Sequence, residues 1–145
     1  GTGHRTVSSY EGNSGSAPLL QVEYNDGGIR KINIRVSQGS DDAEESSSGI
    51  MDIQSSDLKI ASELSARTIG IRFQKVAIPQ GAIIAAAHME FEIDEQQSDD
   101  TNLRIQGQAH DNPAEFTAEN HNISTIHLTF HSGCFSLISL RQGFG

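Results

Sequence analysis

The sequence predicts an all-β chain, an antiparallel β-sandwich of jelly-roll type. Three observations carry that reading. Apolar residues recur at every second position in six separate runs, polar connections rich in Ser, Gly, Asn and Asp separate the runs, and only two short segments leave a helix open. The 145 residues suffice for one domain and are short for two.

Leu20, Val22 and Tyr24 alternate with Gln21 and Glu23, and Asn25-Asp26-Gly27-Gly28 then reads as a turn or short linker. Ile32, Ile34 and Val36 form the second run, and Ile69-Gly-Ile-Arg-Phe73 the third. Met89, Phe91 and Ile93 set against Glu90, Glu92 and Asp94 give the clearest alternation. Leu103 with Ile105, and Ile126, Leu128 and Phe130, complete the set. Such patterning puts one strand face on a core and the other in water, as antiparallel sheets do. Phe73, Phe91 and Phe130 fall on the apolar faces and are expected in the core. Ser56–Ala66 and Gln80–Ala87 are ambiguous, although the Ile-Pro-Gln-Gly turn before the second favours a strand. The stretches Ser37–Gly49, Glu95–Asn102 and Ala109–Ser124 read as polar loops, expected at the ends of the sandwich.

A net charge of −9, with only three lysines among ten basic residues, is the wrong sign for tracking a nucleic-acid backbone. No apolar run is long enough for a membrane-spanning helix. Cys134 is the sole cysteine, so neither a disulfide framework nor metal-type cysteine spacing is available, and it reads as a small buried residue. The chain opens Gly-Thr-Gly without an initiator Met and reads as a mature product or a slice of a longer protein. The acidic, Ser/Asn/Gly-rich, Lys-poor composition points to an extracellular or cell-surface setting.

Asp41, Asp42, Glu44 and Glu45 place four carboxylates in five positions, and Asp94-Glu95 followed by Asp99-Asp100 forms a second cluster. Hard cations take six to eight oxygen ligands, so two such loops meeting at one end of a sandwich could hold a structural Ca²⁺ through Asp41, Asp42, Glu44, Glu45, Asp94 and Glu95. The plainer alternative is a solvated charge run, and no EF-hand register is present. Tyr10, in a polar setting beside Ser8, Ser9 and Glu11, is the one ring expected to be exposed for ligand contact. Asp111 and Asn112 are further ligand candidates, against the simpler reading that Asn-Pro starts a turn. His127 and His131 would share a strand face about 13 Å apart at 3.3 Å per residue, too far for one zinc ion; His121, His4, His88 and His110 show no pairing either. No nucleophile elbow, phosphate loop, Cys–His constellation or opposed carboxylate pair is evident, so an enzyme is not expected.

Two stretches together resemble a known family. Arg67-Thr-Ile-Gly-Ile-Arg-Phe-Gln-Lys-Val-Ala-Ile-Pro-Gln-Gly-Ala-Ile-Ile-Ala-Ala-Ala-His-Met-Glu-Phe91 resembles the middle of the disaggregatase-related (DNRLRE-type) sandwich modules. Gly3-His-Arg-Thr-Val-Ser-Ser-Tyr-Glu-Gly12, with Ser16-Ala-Pro-Leu-Leu-Gln-Val-Glu-Tyr24, resembles their closing strands. The resemblance implies residues 1–28 as the last strands of a preceding repeat, or donated strands, plus a linker. Residues 29–145 would then be a sandwich module whose tail after Ser124 departs from the family pattern. It also implies a secreted, multi-repeat protein and a non-catalytic binding or adhesion module for polysaccharide, which the acidic loops would stabilise with calcium. The alternative is a structural subunit of an extracellular assembly or filament, joined to neighbouring copies by β-strand addition through the N-terminal segment. Lacking Trp, a sugar site would be polar and charge-based.

Overall fold

The computed structural model describes residues 5–61, 66–94, 103–108, 110, 112–126 and 137–142, with Ala61 and 137–142 described by backbone alone. Among these residues the architecture is all-β: ten strands, β1 (Arg5–Ser8), β2 (Leu19–Asn25), β3 (Ile29–Arg35), β4 (Asp42–Ser46), β5 (Met51–Asp52), β6 (Asp57–Ala61), β7 (Arg67–Arg72), β8 (Ile83–Glu90), β9 (Leu103–Gln108) and β10 (Leu137–Gln142). A 3-10 turn, Gly39–Asp41, leads into β4. The strands form three antiparallel sheets ordered β1-β6, β5-β4-β7-β10-β9 and β3-β2-β8.

The alternating runs place the elements largely as expected. Leu20, Val22 and Tyr24 of β2 turn inward with Ile32 and Ile34 of β3 and Met89 of β8. They meet Val7 of β1, Leu58 and Ile60 of β6, and Ile69, Ile71 and Phe73 from the other layer. The main core therefore lies between β3-β2-β8 and the sheet that contains β7, with β1 and β6 contributing Val7, Leu58 and Ile60, which is sandwich packing. In their described parts both ambiguous segments contain strands, β6 and β8. The Asn25–Gly28 turn closes the β2–β3 hairpin, with Gly27 at φ +111° and its N–H donating to Asn25 Oδ1 at 2.9 Å. Ahead of β8, the Ala82 N–H donates to the Pro79 carbonyl at 3.1 Å, with Gly81 at φ +84°.

The boundary expected near residue 28 does not coincide with a break in the sheets. β2 is hydrogen-bonded along both edges, to β3 and to β8. β1 pairs with β6, while Ser8 N–H donates to the Glu92 carbonyl and Asp94 N–H to the Thr6 carbonyl. Residues 5–8 and 19–25 are thus paired within the chain's own sheets.

Three further expectations change. The strongest alternation lies at a strand end: β8 stops at Glu90, Phe91 is half-buried, and Ile93, joined to Val7 by one isolated bridge, is exposed. Leu103 and Ile105 do form a strand, but β9 is an edge and both side chains are exposed. The largest change is Ser37–Gly49, expected as a solvated loop: it holds β4, flanked on both edges by β5 and β7.

Candidate functional site

β4 carries the sequence Asp-Ala-Glu-Glu-Ser in the interior. Asp41, Asp42, Glu44 and Glu45 are all at most 3% exposed. Burying a carboxylate is costly unless charge and hydrogen-bond partners are supplied, and each of the four has its own. The alternation of the strand sends them to two faces.

On the outer face, Asp41 Oδ1 accepts from Arg72 Nε at 2.5 Å and Oδ2 from Gln74 Nε2 at 2.6 Å. The same guanidinium donates to the Pro113 carbonyl at 2.9 Å. Glu45 Oε2 accepts from the main-chain N–H groups of Ile123 and Ser124, both at 2.8 Å. These two carboxylates hold both ends of residues 113–124 against the sheet. Between the ends, Phe116 and Ile123 pack with Ala43 and Met51 in a second small core. Gly70, paired with Ala43, is the floor beneath them: a Cβ there would collide with the Phe116 ring. The stretch Ala109–Ser124, expected as an exposed loop, is in its described part an irregular segment anchored by buried Pro113, Phe116 and Ile123.

On the inner face, Glu44 accepts from the Lys59 main-chain N–H and from Arg67 Nη1 at 3.1 Å, with Lys59 Nζ at 3.7 Å. It ties β4 to β6 and to the start of β7. Asp42 differs. Its Oδ2 accepts from the Tyr10 N–H at 2.8 Å, while its Oδ1 is buried without a hydrogen-bond partner. Among the described residues no cation is paired with it. Burial, with the neighbouring Glu11 and Asp41 carboxylates, pushes the Asp42 carboxyl up to about 7, against one opposing main-chain donor. Glu11, which the sequence did not single out, stands against it within hydrogen-bonding reach and packs over Gly39, where a Cβ would collide with Glu11 Oε1.

The expected calcium constellation is therefore not assembled as a set. Asp41, Glu44 and Glu45 are each engaged by a separate protein donor on one of two faces, Asp94 is exposed beyond β8, and Glu95 lies outside the described residues. Among the described residues no group of three or more His, Cys, Asp or Glu side chains is placed to hold a metal. Tyr10, expected as an exposed ring, is half-buried and packs against the main core. Asn112 is exposed, with its N–H donating to His110 Nδ1 at 3.1 Å. Asp111, His127, His131, Phe130 and Cys134 lie outside the described residues.

A second feature comes from the pairing register. The outer face of β3-β2-β8 presents cross-strand rows: Asn33–Gln21–His88, Lys31–Glu23–Ala86 and Arg35–Leu19–Glu90. A fourth row, Ile29–Asn25–Ile83, ends the face with two isoleucines that are 72% and 71% exposed. Lys31 Nζ meets Glu23 Oε2 at 3.0 Å, so the charges on this face largely cancel locally. It offers amides, an imidazole and carboxylates for hydrogen bonding, with apolar surface along one border. No helix among the described residues is long and apolar enough to cross a membrane. No protein-family model, curated protein or solved structure matches this chain.

Proposed function

We propose that the chain is a non-catalytic extracellular binding or adhesion module that holds a polysaccharide against the outer face of β3-β2-β8. The observation that carries this reading is the composition of that face. Exposed Asn33, His88, Glu90 and Lys31, with half-exposed Gln21 and Glu23, supply donors and acceptors at strand spacing. Exposed Ile29 and Ile83 supply the apolar patch on which a sugar ring can rest. Hydroxyl-rich polymers are recognised by such planar sets of side-chain donors and acceptors, and rigid strands position them better than loops do. Of the acidic residues that first suggested a ligand site, Asp41, Glu44 and Glu45 are engaged in the interior instead.

Affinity electrophoresis in gels containing neutral and uronate polysaccharides tests this directly. Retardation in at least one gel, lost in a Gln21→Ala/Asn33→Ala/His88→Ala variant of unchanged melting temperature, supports it. Unretarded migration in every gel, or retardation that survives the triple substitution, rules the face out.

The open edge of β8 favours a second reading, a structural subunit joined to its neighbours by strand addition. Among the described residues β8 pairs on one side only, and its first five residues, Ile-Ile-Ala-Ala-Ala, carry no charge to discourage pairing. Assembly would then use β8 rather than β1 or β2, which are already paired. Concentration-dependent dimers that disappear in Ala85→Lys would favour this reading over the first.

A further inference from the structure

Of the four buried carboxylates in and next to β4, three are neutralised or capped by fixed protein groups and one is not. Asp41 has Arg72 and Gln74, Glu44 has Arg67 and Lys59, and Glu45 has two main-chain N–H groups. Asp42 is 2% exposed, has a single main-chain donor on Oδ2, and leaves Oδ1 without a partner. What faces it is a second carboxylate, Glu11. Two carboxylates held together in a partly dry site are relieved either by a shared proton or by a cation between them. No Lys or Arg of the described residues fills that role in the hydrogen-bond and ion-pair network around Asp42.

The local chain is shaped to hold the pair in place. Tyr10 N–H fixes the orientation of Asp42, and the Ser9 hydroxyl, donating to the Ser55 carbonyl at 2.6 Å and accepting from Gly12 N–H at 3.2 Å, fixes the turn that carries Glu11. Glu11 packs over Gly39, where a Cβ would push its carboxylate aside. The unpartnered oxygen, the opposed carboxylate and the glycine cradle are separate features that converge on one spot.

We propose that Glu11 and Asp42 form the protein half of a binding site for one hard divalent cation, calcium by its donor chemistry. Both ligands are carboxylate oxygens, the donor type preferred by calcium and poorly suited to zinc or copper. Glu11 is exposed, so the site is open on its side and water completes the coordination. Two carboxylates and solvent place the dissociation constant on the order of 10⁻⁴–10⁻³ M, the range of extracellular modules. A bound ion would tie the turn after β1 to β4, linking two of the three sheets. The site is independent of the proposed sugar-binding face, and either can fail while the other stands.

Terbium luminescence provides the test, because Tb³⁺ replaces calcium at oxygen sites and is sensitised by a nearby tyrosine. Tyr10 adjoins the site and the chain has no Trp to compete. The expected result is saturable emission on excitation of tyrosine, displaced by calcium, together with a rise of about 5 °C or more in melting temperature at saturating calcium over chelator. Glu11→Gln, an exposed and isosteric change that keeps the fold, and Asp42→Asn should each abolish both effects. Absence of emission and of a thermal shift in the unmodified chain would overturn the proposal, as would emission that survives either substitution. In those cases a proton shared by the two carboxyls accounts for the pair.

Discussion

Phe116 and Gly70 allow a double-substitution test of how residues 113–124 sit on the sheet. Phe116 is 2% exposed and rests on the strip formed by Ala43 and Gly70. Removing its ring by Phe116→Ala should cost about 3–5 kcal/mol, through lost burial and the cavity left behind. Gly70→Ala should also destabilise, for the opposite reason: its Cβ would enter the Phe116 ring and come within 3.0 Å of Ile123 Cδ1. Overpacking of this kind costs about 1–3 kcal/mol. In the double variant the methyl introduced by Gly70→Ala enters space that the ring has vacated. Most of the Gly70→Ala cost should then vanish, giving a favourable coupling of about 1–2 kcal/mol. Chemical denaturation of the four proteins, with comparable m values, measures the coupling. Additive costs would mean that Phe116 does not lie over Gly70, and the account of this face would be wrong.

Two further predictions concern charge. In chelator, Asp42 should make stability fall as pH rises. Its folded value of about 7 is above the ordinary 3.8, so its contribution is fully present below pH 4 and is lost by about pH 7. The full span corresponds to about 4 kcal/mol as an upper limit. Asp42→Asn should flatten the unfolding free energy across this window, and an unchanged slope from pH 4 to 7 would count against the burial of Asp42. Glu44→Ala should cost about 2–3 kcal/mol, because it removes the buried acceptor of the Lys59 N–H and of half-buried Arg67, whereas Glu23→Ala, which breaks a surface pair with Lys31, should cost less than about 1 kcal/mol. Equal costs in urea denaturation would place Glu44 on the surface.

Period-2 alternation was enough to locate β2, β3 and β7, because in each the apolar set faces one continuous core. The turns at Asn25–Gly28 and Pro79–Gly81 were legible from glycines that adopt positive φ. β4 was not legible, since consecutive carboxylates ordinarily mark solvent. What makes them a strand is supplied from elsewhere in the chain: Lys59, Arg67, Arg72 and two main-chain N–H groups near residue 123. A signal did exist, for Arg67 and Arg72 bracket the apolar Ile69–Ile71, and a cation on a buried strand needs an anion. Phe116 was a second signal, a lone aromatic ring in an otherwise polar stretch. Leu103 and Ile105 misled in the other direction, because alternation reports a strand and not whether a second layer covers it. Glu11 was hidden because its role depends on the absent side chain of Gly39, 28 positions away.

The acidic run is an interior strand that fastens the surrounding segments. Native-state amide hydrogen exchange of residues 42–46, read by NMR in chelator, tests it most directly. Both edges of β4 are paired, so protection of its hydrogen-bonded amides should approach that of β7, with exchange slowed by orders of magnitude relative to an open loop. Exchange of these amides at the rate of unstructured chain would return the carboxylates to solvent and contradict the account.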